Sequence, residues 1–342
     1  MAGPASEAPT ASPRRSSAPG KVGNIVFRGI STGAGFVILL VLALVALFLL
    51  YRSWDTITAD DQRIADLTFT RGETFWPYVL PLIFGTVLFS VIALVIAVPL
   101  SVSIALFISH YAPRRMAQVL GYLIDLLAAI PSVLYGMWGF LWLEPAMRPF
   151  FVWISDATNW LNGFAPWRYT LGYITTPLFG EASTPARVAL MAGVVLAIMI
   201  LPIVTATIRE VFLQTPRLHE EASLALGATR WEMIRQAVFP FGRSGIISAS
   251  MLGLGRALGE TMAVLMIVSP GFRINFNILQ AGQHQAIAPN IANTFGEGSA
   301  QDDGLGGSVL IATGLVLFVI TFGVNLAARW IIARRAEFSG AN

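Results

Sequence analysis

Long apolar runs, rather than a two-residue alternation or a three-to-four-residue stripe, dominate the pattern of this chain. The first runs from about residue 30 to residue 51 without a charged position. At 1.5 Å per helical residue it reaches about 30 Å, the thickness of a bilayer's hydrocarbon core. Five further runs of the same kind predict spanning helices at about 79–109, 117–143, 186–208, 244–268 and 309–333. An even number of crossings returns both termini to one side. The first run exceeds the ~7–15 apolar residues of a secretory signal. Its flank, Tyr51 to Asp55, offers no small-residue cleavage site, so it reads as a retained anchor.

Polar segments divide the chain further. Residues 1–22 are rich in Ala, Pro and Ser, with Arg14, Arg15 and Lys21, and predict a disordered basic tail. Residues 23–78 hold the first helix and an external loop, 79–335 a transmembrane domain, and 336–342 a C-terminal tail. Within the domain, 144–185 is an external insert carrying Trp153, Trp160 and Trp167, 209–243 is a structured loop, and 269–308 is rich in Gly, Asn and Gln. Orientation follows from the basic residues. The tail, the turn at 110–116, the 209–243 loop and the C-terminal end carry 14 Lys and Arg, whereas the segments between carry 7. Both termini are therefore expected in the cytoplasm, on a face net positive by 8, with the external face net negative by 4.

Composition narrows the class. Only 12 % of the 342 residues are charged and 55 % are hydrophobic, whereas a soluble domain carries about 25 % charge. The expected location is the cell membrane, with the lipid bilayer as solvent. With no cysteine, disulfides and thiolate sites are excluded, and His110, His219 and His284 are too scattered for a compact metal cluster. Neither metal, cofactor nor nucleic acid enters the reading, and no catalytic residue is assigned. The single lysine, Lys21, precedes Val22, so no phosphate-binding GxxxxGK[ST] loop exists. If this chain does ATP-driven work, a partner supplies the energy.

The 209–243 loop is more structured than a connection requires. Residues 220–231 (EEASLALGATRW) read as a short helix stopped by Gly227, and a second amphipathic turn runs to Phe239-Pro240. Leu224, Leu226, Trp231 and Ile234 among charges suit docking into a groove of a soluble partner. A helical hairpin lying on the membrane or on its own bundle is the alternative. This stretch resembles the EAA loop of ABC-importer permeases: Glu221, Ala222, Gly227 and Pro240 match at the family spacing, with Ser223, Ala237 and Phe239 as small or apolar departures. In that family the loop is the coupling helix that fits a cleft of the ATPase subunit.

The fifth span extends the resemblance. Residues 253–264 (GLGRALGETMAV) are similar to the permease of the high-affinity phosphate importer, PstC type, as are residues 130–136 (IPSVLYG) and the second span from Gly85 to Leu100. The resemblance covers about residues 80–335. It implies an all-α, six-span permease of the type I ABC-importer (MetI-like) fold, with five core spans and an added N-terminal helix. It also implies a heterodimer with a homologous PstA-type permease, two ATPase subunits and an extracytoplasmic phosphate-binding protein. The PstA-type subunit itself, or a permease for another oxyanion, shares these features.

Arg256 and Glu260 are four apart, hence on one face of a continuous helix, about 18 and 24 Å into the span. With Asp125 of the third span, three ionisable groups at about 2.5–3.5 kcal/mol each make roughly 8–10 kcal/mol of insertion cost, which argues for a role. Arg256 offers a planar fork for a phosphate, Glu260 partly neutralises it, and Thr261 is assigned to the same pathway. The competing reading is an Arg–Glu pair that only holds helices together. Asp125 is grouped with the same pathway, although a structural role, as an interhelical partner of Arg256, is the favoured reading for it. Gly255 and Gly259 form a GxxxG for helix packing, and Pro99, Pro131 and Pro202 are expected to kink or interrupt their spans. The rival class is an ion-coupled secondary anion transporter or channel. It would show an inverted repeat, which inspection does not find, and has no task for a docking loop.

Overall fold

The computed structural model describes residues 21–164 and 181–336. The tail up to residue 20, the part of the insert that includes Trp167, and the last six residues lie outside that range, and the side chain of Trp160 with them. Among the described residues every regular element is helical.

Helix α1 (Lys21–Thr58) is 38 residues long. Its portion up to Tyr51 is a unit by itself. Apolar side chains such as Phe36, Leu39 and Leu47 are exposed all around it, a surface that hydrocarbon accommodates and water does not.

From Arg52 onward the chain forms a second unit. A short α2 (Asp61–Ala65) precedes α3 (Phe75–Leu106), which continues into a π-helical turn at Phe107–Tyr111. Then come α4 (Arg114–Ala128), α5 (Ser132–Trp138) with a π turn at Gly139–Leu143, and α6 (Glu144–Phe164). Helices α7 (Ala189–Leu213), α8 (Arg217–Ala225) and α9 (Arg230–Met233) follow. A third π turn at Ile234–Val238 leads into α10 (Phe239–Leu258), then α11 (Met262–Ile267), α12 (Ile287–Gly298) and α13 (Leu305–Ala336).

Five helical stretches are long and apolar enough to cross a membrane, and a sixth if the pair Arg114–Ala128 and Ser132–Ala157, bent by 91°, counts as one span. The third predicted span is therefore interrupted, as expected at Pro131. At 15 residues α4 reaches only about 22 Å, and Pro131, with ψ 138°, turns the chain out of helix. Proline lacks the N–H that would continue the ladder and pushes the residue before it out of the helical region. Pro99 and Pro202 do not interrupt their helices: both lie inside α3 and α7. The insert is also partly helical, since α6 begins at Glu144 and buries Phe151 in the core.

The core lies between α3 and α7. Ala93, Ala97, Met191, Val195, Met199 and Ile200 are all buried there, and a Cβ on Gly193 would collide with Ile92. Small residues allow backbones to close together, which is what drives helix association where the solvent is itself apolar.

The connecting segments sort to two ends of this unit. At one end Arg63 pairs with Asp302 at 2.9 Å, Gln301 receives a hydrogen bond from the Thr68 N–H at 3.0 Å, and the Ser183 N–H donates to Leu279 at 3.1 Å. The buried Glu144 accepts from the Ala186 N–H at 2.6 Å, so the start of α6 meets the same end. At the other end His110 meets Glu220 at 3.4 Å. Segments 52–78, 181–188 and 269–308 thus gather on one side, and 107–116 with 209–243 on the other.

Candidate functional site

The fifth span does not continue as one helix. Helix α10 ends at Leu258, Gly259 is its C-cap with φ −94° and ψ 0°, and α11 restarts at Met262. Glu260 falls in the break and is buried. Its Oε1 accepts the Ala263 N–H at 3.1 Å, an N–H that α11 leaves without a helical partner. Thr261 donates its hydroxyl to the Gly259 carbonyl at 3.2 Å. The expected shared face of Arg256 and Glu260 is corrected by this bend: the carboxylate serves the first turn of α11, and the two form no ion pair.

Arg256 is left half-buried in the last turn of α10, where a cation complements the helix dipole. Among the described residues it has no carboxylate partner. Tyr135 of α5 lies within its electrostatic reach and donates its hydroxyl to the Leu127 carbonyl at 2.9 Å. Helix α5 approaches because Gly136 has no side chain: a Cβ there would stand 2.7 Å from the Cα of Ala263. The stretch 130–136 and the fifth span, far apart in sequence, thus meet as two short helices, each following a break. Irregular backbone at membrane depth persists where it is buried in protein or lines a polar cavity.

Two other expectations are corrected. Asp125 is exposed on α4 and makes no ion pair among the described residues, so the interhelical contact with Arg256 is not formed. Gly255 and Gly259 do not pack against another helix among the described residues. A Cβ on Gly255 would meet nothing within 4 Å, and one on Gly259 only the Gly255 carbonyl at 3.8 Å. The bend at Gly259 removes the continuous stripe that the motif needs.

The 209–243 loop follows its local sequence closely. Helix α8 ends where Gly227 takes φ +87°. The Gly227 N–H donates to Leu224 at 3.0 Å and the Ala228 N–H to Ser223 at 3.2 Å, the paired bonds of a Schellman motif. A capping box then starts α9: the Thr229 N–H donates to Glu232 at 2.8 Å and the Glu232 N–H returns to the Thr229 hydroxyl at 3.3 Å. No separate turn ends at Pro240. The chain instead runs from Arg230 through the π turn at Ile234–Val238 into α10. Pro240 has no N–H to donate and its ring crowds a preceding carbonyl, which the wider turn just before it relieves.

Exposure separates the anchoring face from the free face. Ile234, expected to project, is fully buried. Leu226 and Trp231 are 90 % and 55 % exposed, and Leu218, absent from the sequence reading, is 78 % exposed. Glu221 and Ala222 are exposed beside them. The opposite side is held by Glu220 to His110, and by the Ser223 hydroxyl donating to Gln236 at 3.2 Å. Ring contacts run from Trp231 to Phe239 (6.2 Å), on to Phe212 (6.1 Å) and to His110 (6.4 Å). The linear sequence gave no sign of His110, which stands 110 positions from its partner.

A scan of family models matches residues 97–337 to the binding-protein-dependent transport system inner membrane component. The chain belongs to this family and is a multi-pass membrane permease. It is 41 % identical over 316 residues to the phosphate transport system permease protein PstC 2 of Mycobacterium tuberculosis, covering 92 % of this chain and 93 % of that one. It is 42 % identical over 253 residues to PstC of Mycobacterium leprae, 74 % of each chain. To PstC of Mesorhizobium japonicum it is 34 % identical over 326 residues, 92 % of each. The inward-facing methionine ABC transporter MetNI overlaps 75 % of this chain and 93 % of its own at TM-score 0.44 and 16 % identity, too loose a likeness to argue from.

Proposed function

We propose that this chain is the permease subunit of an ATP-driven phosphate importer, and that phosphate passes Arg256 at the break of the fifth span. The family membership supports the transport role, and the relatives named for phosphate transport supply the substrate. The observation that carries the site is the unpaired guanidinium. Glu260 is committed to the Ala263 N–H, so Arg256 keeps its fork of donors for a passing oxyanion. Glu260 nearby limits how tightly that anion is held, and the Thr261 backbone belongs to the same irregular turn. Asp125, exposed and apart, has no part in this pathway.

The exposed face of α8 and α9, with Glu221, Ala222, Leu226 and Trp231, docks into a separate ATPase subunit, which hydrolyses the ATP. A second permease of PstA type completes the pathway, two ATPase subunits drive it, and an external binding protein delivers phosphate. The gathering of the connections at two ends fits the basic asymmetry, with α8 and both termini in the cytoplasm. ATP-dependent closure of the ATPases moves α8 and α9, and the bundle alternates between its two openings.

The test is phosphate uptake at matched complex levels. Losing one charge-assisted hydrogen bond is worth about 1.5–3 kcal/mol, so Arg256→Gln should lower uptake by one to two orders of magnitude with assembly intact. Arg256→Lys should recover only part. A purely structural Arg–Glu pair predicts that adding Glu260→Gln restores transport, and near-wild-type uptake by that double variant would refute the proposal.

A further inference from the structure

At the end of the unit opposite the 209–243 loop, a cleft of about 310 Å³ opens between the segment before α3 and the loop after α11. Its lining includes Thr70, Arg71, Glu73, Tyr78, Phe272 and Arg273. One wall is a tight turn. The Thr70 hydroxyl lies 2.8 Å from the carbonyls of Ile64 and Leu67, and the Glu73 N–H donates to the Thr70 carbonyl at 3.1 Å. The turn forces Arg71 to φ +61° and Gly72 to φ +82°. For a residue with a Cβ that conformation is strained, and strain of this kind concentrates at functional sites. Its result is to lay the Arg71 guanidinium 4.4 Å above the ring of Phe272. Phe272 stacks in turn on Tyr78 at 5.7 Å, and the Tyr78 hydroxyl accepts a bond from Asn290.

The other wall is a short backbone ladder. The Gly271 N–H donates to His284 at 3.2 Å and the Arg273 N–H to Gln283 at 2.9 Å. It fixes Arg273 on the rim of the cleft.

Neither guanidinium has a carboxylate partner among the described residues, whereas Arg63 close by is taken by Asp302 at 2.9 Å. A guanidinium stacked by its face keeps its edge donors free in the plane. The external segments hold 11 acids against 7 basic residues, so this face as a whole repels anions. Two of its arginines nevertheless line one cleft, with Glu73 as the acid there. At about 30 Å³ per water the space admits a small oxyanion with part of its hydration shell.

We infer that this cleft is an outer receiving site for a tetrahedral oxyanion, inorganic phosphate, held by Arg71 and Arg273 on its way to the membrane-embedded pathway. The inference rests on the importer reading above and on its orientation. Glu73 keeps the site weak, so it passes the anion on.

The chain has no cysteine, so Glu73→Cys places a single reporter in the cleft of the complete complex, reconstituted with its ATPase, its second permease and its binding protein. An anionic methanethiosulfonate should react faster there than a cationic one, and inorganic phosphate should slow the reaction where chloride at equal ionic strength does not. Adding Arg71→Gln and Arg273→Gln should cut the anionic rate about tenfold and abolish protection, while the lysine pair should preserve the rate preference. The glutamine pair alone should lower phosphate uptake several-fold, with ATPase stimulation by the loaded binding protein unchanged. Absence of phosphate protection, or full uptake by the glutamine pair, overturns the inference. Loss of binding-protein stimulation in that pair also overturns it, since the arginines would then dock that protein. Should the wild-type complex fail to import phosphate at all, the importer reading fails instead.

Discussion

Gly227 carries the sharpest prediction because its surroundings leave one cost to consider. Its φ of +87° lies in the left-handed region, yet a Cβ added there would meet no heavy atom within 4 Å. Gly227→Ala therefore creates no clash, and its penalty is backbone strain of about 1–2 kcal/mol. If the chain escapes the strain by unwinding, it loses the bonds from Gly227 to Leu224 and from Ala228 to Ser223. Either route depopulates the docked form of α8 by about 5–30-fold, and Leu226, the most exposed apolar residue beside it, loses its position. Asparagine tolerates this conformation better than alanine. The expected order for ATPase retention on the purified permease is therefore Gly, then Asn, then Ala, with Phe no better than Ala. Membrane insertion should be equal in all four, and transport per ATP should follow the same order. ATPase retention and coupling by Gly227→Ala equal to wild type would refute the argument that this left-handed glycine sets the docking surface.

Topology can be read from single cysteines in the otherwise cysteine-free chain. Thr184→Cys and Ala300→Cys, both exposed, should label with an impermeant reagent in intact cells, and exposed Ala222→Cys should label only after permeabilisation; the reverse result would invert the orientation. His284 offers a pH test. Burial lowers its pKa, while its Nε2–H bond to the Asn275 carbonyl, 2.7 Å long, opposes that shift. The folded loop thus holds a neutral imidazole, and an unfolded one takes up a proton near pH 6.5. Stability from this group is complete above that pH and falls on acidification. Proteolysis within 269–286 should accelerate between pH 7 and pH 5, and His284→Gln should flatten the profile; an unchanged profile would remove His284 as the cause.

Much of this protein was legible from the sequence because the governing forces are local. An apolar run of spanning length is a property of consecutive residues, and five of the six predicted spans have counterparts among helices long enough to cross. The stop at Gly227 and the start at Thr229 were equally accessible, since a Schellman motif and a capping box close within six and four residues. Through-space contacts decided the rest. Pro131 marked its own break, but hydropathy averages across Gly259-Glu260-Thr261 and sees none, because breaking there depends on where backbone N–H groups find partners. Helical spacing paired Arg256 with Glu260, whereas a bend at Gly259 handed the carboxylate to Ala263 and left the arginine free. Periodicity made Ile234 a projecting residue, but the π turn before α10 rotates it into the core. The anchoring of α8 by His110, and the cleft between Arg71 and Arg273, join segments more than a hundred residues apart. Loop closure over such distances is decided by the packing of α3 against α7 and of α5 against α11, where the missing side chains of Gly193 and Gly136 let the backbones meet.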